Sequence, residues 1–161
     1  MQLIKRDSSL WSYLTDDLRG LVEDGEFLLE VADQTKKEEF LSDYSYLVFP
    51  FAKAYEGFLK KFFLDTKLIH EEEYYSDDIR IGRILNPHFD KEKQNVFRKI
   101  CNHSKEGRKI SSKLWETWKK GRNLVFHYFP HNFRRLSYQH SLEIIQEIIS
   151  SMNSAIMECN V

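Results

Sequence analysis

Cysteine, proline and glycine are all scarce in this chain of 161 residues, which has two, three and six of them respectively. So little Pro and Gly leaves few sites for tight turns, which favours long helices over a many-stranded architecture. Two cysteines exclude a disulfide-dense secreted scaffold. Without a secretory leader, Cys101 and Cys159 are expected as reduced thiols in a cytoplasmic protein. The N-terminal MQLIKRDSSL has no apolar core of a signal peptide, and no uncharged run approaches about 18 residues. Neither secretion nor membrane spanning is expected. Aromatics are not scarce: twelve Phe, eight Tyr and three Trp argue for a ring-rich core and against disorder. The length suits one domain spanning 1–161, with 1–42 forming N-terminal helices and 43–161 the main bundle.

Net charge is −1, but its distribution is uneven. Residues 1–50 hold five Lys/Arg against eleven Asp/Glu, whereas residues 91–122 hold eleven against three. A basic block therefore ends at Arg122. It reads either as solvated helix faces or as a local phosphate-binding surface on a near-neutral protein.

Apolar residues recur at helical spacing from Ser8 to Ala32, which predicts one or two helices broken at Gly20 or Gly25. Residues 43–65 are apolar or aromatic on most sides, the pattern of a buried central helix, and Pro50 should start or kink it. Residues 66–88 read as an exposed loop or a short irregular excursion. Asp90 is the expected N-cap of a helix running to about Ile110, and Ser111 or Ser112 that of the next. That next helix should carry Trp115, Trp118 and Phe126 on a buried stripe and end at Pro130. A final amphipathic helix is expected over 137–158. The fold class is all-α, a bundle of five or six helices.

Arginine followed five residues later by histidine occurs four times: Arg83/His88, Arg98/His103, Arg122/His127 and Arg135/His140. With nine arginines and six histidines in 161 residues, about a third of one match is expected by chance. Spacing alone therefore selects none of them, but context does. Arg83/His88 encloses Asn86-Pro87, Arg98/His103 lies on a polar face, and Arg135/His140 straddles a helix start. Only Arg122/His127 joins an apolar stripe (Leu124, Val125, Phe126) to a basic flank (Lys119, Lys120), with Asn123 directly after the arginine. In a straight α-helix, Arg122 and His127 would point about 140° apart. Either the arginine curls round or the helix distorts there, and Gly121 eases distortion or close backbone approach.

RNLVFH (122–127) with its flanks resembles the Arg-Asn-x3-His motif of HEPN-domain ribonucleases. FPFAKAYEGFLKKFFL (49–64) is similar to a Glu-Gly helix in the RNase LS toxin family. The order agrees, and the likeness covers roughly residues 43–150, resembling the C-terminal antitoxin-binding HEPN domain of those toxins. Their further N-terminal domains have no counterpart here, and Tyr55 stands where that family more often has Leu. The resemblance implies a HEPN-like bundle, metal-independent endoribonuclease activity as a toxin or phage-defence effector, no cofactor, a cognate antitoxin partner and a site at a homodimer interface; a non-catalytic helical binding module, or a HEPN partner of an antitoxin or nucleotidyltransferase, stays open as the alternative. It makes Arg122 and His127 the motif pair, Glu56 the helix carboxylate of the site and Asn123 the polar residue beside it.

Those residue types fit that chemistry. Metal-free RNA cleavage needs a base for the 2′-OH, an acid for the leaving 5′-oxygen and a cation for the developing charge. Imidazole, with an ordinary pKa of about 6.5, suits the proton transfers. Guanidinium stays charged and donates two parallel hydrogen bonds to phosphate. Lys119, Lys120, Tyr128, His131 and Arg134 are the expected RNA contacts, with Tyr128, Phe129, Phe133 and Tyr138 able to stack on bases. Each has a structural alternative. Arg122 and Glu56 also read as a salt bridge between core helices, His127 and His131 as packing histidines, and the rings as core or interface. A metal site at His127/His131 lacks completing ligands. Lys60-Lys61 reads as a solvated face and Asp77-Asp78 as exposed charge.

Overall fold

A computed structural model describes residues 1–35, 41–102, 106–128, 130, 135–159 and 161. Among the described residues the chain is all-helical, with no strand. Four longer helices form the body: α2 (Asp16–Thr35), α3 (Phe49–Asp65), α6 (Gly107–Trp118) and α7 (Tyr138–Cys159). Three short ones, α1 (Ser9–Tyr13), α4 (Glu71–Tyr74) and α5 (Ile81–Ile84), complete the set.

The central helix is α3, as its composition requires. Pro50 sits in its first turn, where a missing N–H costs nothing. Phe51, Phe58, Phe62 and Phe63 are fully buried along it. Each such ring contributes about 1.5–3 kcal/mol of burial. Tyr55, Phe58 and Phe62 stack in series, with centroids 6.4 and 5.8 Å apart. The Tyr55 hydroxyl donates to the Leu114 carbonyl at 3.0 Å, which ties α3 to α6. Burial raises its phenol far above the ordinary range.

The predicted break in the first helical region falls at Leu14 and Thr15, not at a glycine. Ser8 caps α1, accepting from the Trp11 N–H at 3.2 Å. Both glycines lie inside α2. Gly25 serves packing: a Cβ there would lie 2.4 Å from Cε2 of Phe51, so α2 and α3 can close on each other only with hydrogen at that point. Glu26 on α2 is buried at 6% exposure, accepting from the Leu3 N–H at 2.7 Å and from Arg6 Nη2 at 2.6 Å. It holds the N-terminal strap onto the bundle.

Three further expectations are corrected. The 66–88 stretch is not plain loop, since it contains α4 and α5 and leads into a 3₁₀ turn at Pro87–Phe89. Asp90 caps no helix. It pairs with Arg98, and residues 91–102 run as turns before α6 starts at Gly107. There the backbone bonds outward, because Val96 N–H donates to the Ile84 carbonyl at 2.8 Å, and the Asn95 side chain adds a bond from Nδ2 to the Asn86 carbonyl at 2.8 Å. A helix would consume such groups internally. Ser111 lies within α6, its hydroxyl donating to the Gly107 carbonyl at 2.9 Å.

The cysteines are also not free thiols. Cys101 and Cys159 form a disulfide with their Cα atoms 5.3 Å apart, joining the turn before α6 to the end of α7. No helix among the described residues is long and apolar enough to cross a membrane.

Candidate functional site

Helix α6 does not run on to Pro130. After Trp118 it widens into a π turn, Lys119–Asn123, closed by the Leu124 N–H donating to the Lys119 carbonyl at 2.9 Å. This bond spans five residues rather than four, the signature of a π bulge. Gly121 lies at its centre, against α7. A Cβ there would sit 3.0 Å from Cδ1 of Ile148, so a side chain would crowd the isoleucine that supports the turn. The helix thus distorts where the Arg-Asn pair occurs, and the chain then leaves helical geometry. Phe126 consequently falls off the buried stripe. It is 38% exposed and packs edge-on against Phe49 at 5.6 Å.

The π turn carries Arg122 and Asn123 to the wall of a cleft of about 720 Å³. Helix α3 supplies Glu56 and Lys60, one turn apart on one face. Trp118 of α6 forms a wall, and Arg80, Arg83 and Phe89 face it from the α5 region. Arg122 Nε lies 3.8 Å from Glu56 Oε2, with the two side chains 41% and 33% exposed. That separation is an ion pair but too long for a hydrogen bond. The guanidinium carbon lies 5.4 Å from the Trp118 ring centroid, within cation–π range. Arg122 is therefore oriented by a carboxylate and a ring, yet keeps its donors open to a ligand. Although α3 is apolar on most sides, Glu56 stands at the cleft edge, half-buried.

The structure brings Arg122, Asn123 and Glu56 to one cleft wall, and His127 is not among the residues that line it. His127 lies past the helix end, exposed, and does not line the cleft. Lys119 pairs with Glu116 at 2.8 Å. Lys120 pairs with Glu147 at 3.2 Å and lines a different cleft. Tyr128 is exposed beyond the helix. His131 and Arg134, with Phe129 and Phe133, lie outside the described residues. Among the described residues, no three His, Cys, Asp or Glu side chains cluster as metal ligands.

Sequence reading missed Lys60, Arg80, Arg83, Phe89 and Trp118 as site residues. The i, i+4 relation of Glu56 and Lys60 was the one available signal. Nothing local marks Arg80 or Arg83. Their placement depends on turns held by Asn95, whose Nδ2 also reaches the Arg83 carbonyl at 3.3 Å, and by the Arg83–Glu92 pair at 3.0 Å.

Comparison with known proteins adds no relative: no family model, curated protein or solved structure gives a significant match.

Proposed function

We propose that the protein is a metal-independent endoribonuclease of HEPN-like type, acting as an antitoxin-restrained toxin or a phage-defence effector. The observation that carries this reading is the Arg122–Glu56–Asn123 grouping beside Trp118, in an open cleft at a π turn. In the reaction, the 2′-oxygen of RNA bonds to phosphorus and the bond from phosphorus to the 5′-oxygen breaks. The 2′-OH loses its proton to a base, and the leaving oxygen gains one from an acid. The products are a 2′,3′-cyclic phosphate and a free 5′-OH.

Arg122 neutralises the charge that builds on the phosphoryl oxygens, and Asn123 adds a neutral donor beside it. Glu56 holds the guanidinium in place. His127 carries the proton transfer, each such catalyst contributing roughly 10²–10⁴-fold. Because His127 stands away from the cleft of its own chain, it reaches the phosphate from a second copy in a homodimer. No cofactor takes part. The chain acts on RNA in the cytoplasm, and a cognate antitoxin restrains it.

The position of His127 also favours a second reading, a non-catalytic helical module that binds RNA or an antitoxin. Expression of wild type beside Arg122→Ala and His127→Ala separates the two. Growth arrest and RNA decay with wild type alone, persisting in EDTA-treated lysate, supports the nuclease. RNA loss that continues in both variants removes these residues from the chemistry. Absence of any RNA loss with wild type leaves the binding module.

A further inference from the structure

The cleft holds more positive charge than one scissile phosphate requires. Its cations are Lys60, Arg80, Arg83 and Arg122, against the carboxylates Glu56 and Asp77. Two of the four are already balanced, Arg83 by Glu92 at 3.0 Å and Arg122 by Glu56 at 3.8 Å. Lys60 has no ion-pair partner among the described residues, although it is only half exposed. Arg80 is exposed and donates to the Asp77 backbone carbonyl, with no ion pair among the described residues. They come from separate elements, α3 and the N-terminus of α5, and face a common space.

Lys60 and Arg80 line one cleft from separate elements, so an anion seated there can meet both. The walls beside them are aromatic. Phe89 is 42% exposed at the rim, and Trp118 forms the interior. Gly82 keeps the space next to the indole open, since a Cβ there would lie 3.1 Å from Nε1. Paired cations with an exposed ring form the usual grip on single-stranded nucleic acid, in which phosphates meet charge and a base lies on the ring. The volume, about 720 Å³, lies within the range of small-ligand sites, about 300–1,000 Å³.

We infer that Lys60 and Arg80 form a second phosphate subsite, which binds the RNA phosphate next to the one held by Arg122 and seats its base against Phe89. The inference rests on the RNA reading above and names what holds the strand rather than what cuts it. Lys60 and Arg80 are positioning residues for the substrate.

The test is fluorescence anisotropy with a 2′-O-methyl single-stranded RNA of about twelve nucleotides, which cannot be cleaved, over a salt series. Removing both cations in K60A/R80A should weaken binding about tenfold and flatten the log Kd–log salt slope by about 0.7, the step for one lost phosphate contact on a single strand. The K60R/R80K exchange should restore the slope. Phe89→Ala should weaken binding without changing it. A single-stranded DNA with the same phosphates should show the same loss. Circular dichroism of each variant verifies the fold. An unchanged slope in K60A/R80A overturns the subsite. So does displacement of RNA by polyglutamate at equal charge concentration, which would make this a surface for an acidic protein. The two readings fail separately. Loss of slope with no cleavage by wild type keeps the subsite and ends the nuclease reading, while cleavage with an unchanged slope does the reverse.

Discussion

Two Arg-x4-His pairs flank the connection between α6 and α7, and they meet opposite fates. Arg122 and His127 belong to the more suggestive sequence context, yet only Arg122 lines the cleft, because the helix that would carry both ends at Asn123. Arg135 and His140 straddle a helix start, yet they line one cleft of about 470 Å³ together with Lys120, Glu143 and Glu147. The backbone explains the second case. Leu136 N–H donates to Asp43 Oδ1 at 3.0 Å, and the Leu136 carbonyl accepts from Tyr44 N–H at 2.9 Å, which pins the chain just before α7. His140 follows in the first turn of α7, its N–H accepted by Ser137 Oγ at 3.1 Å. Spacing along a chain implies proximity only while one regular element spans it. Once the element ends, hydrogen bonds to other segments set where each residue lies.

The contrast can be broken most directly by activity. Arg122→Ala should lower RNA cleavage about 10²–10³-fold, the usual cost of losing a charge-stabilising donor, in a fluorogenic RNA assay. Arg135→Ala and His140→Ala should leave the rate close to wild type. The opposite pattern would move the chemistry to the second cleft. His127→Ala should cost about 10²–10⁴-fold, and dimers mixing wild-type and His127→Ala chains should be badly impaired. Full activity in such mixed dimers would refute a shared site.

Stability measurements sharpen the same comparison with smaller effects. Removing the carboxylate in Glu26→Ala strands the Leu3 and Arg6 donors and should destabilise by about 1–3 kcal/mol in urea melts, while leaving RNA binding intact. Gly121→Ala presses a methyl on Ile148 and should cost about 1–3 kcal/mol. It should also displace Arg122 and lower RNA affinity, which Glu26→Ala should not. Gly20→Ala is the smallest change. Nothing lies within 4 Å of the new methyl in the second turn of α2, so it should stabilise by about 0.5–1 kcal/mol and leave binding unchanged.

The scaffold was more legible than the site. Helices α3 and α7 follow from their apolar periods, and Pro50 marks the start of α3. Of the two ways left open for Arg122 to reach His127, a curled arginine or a distorted helix, the helix does distort at Gly121, yet His127 does not join Arg122 in the cleft. The turns of 91–102 were not legible, because their polar residues look equally helical until Asn95 and Val96 find partners on α5. The pairing of Cys101 with Cys159, 58 residues apart, left no local trace either.

The amino-acid order by itself determined the all-helical class and the buried face of α3, because hydrophobic period and the shortage of turn-formers act locally. Only the folded chain decided which charges share a cleft. Arg80, Lys60 and Arg122 come from segments far apart in sequence, and their meeting depends on long-range packing and on backbone groups satisfied across elements. No spacing rule within one segment encodes that.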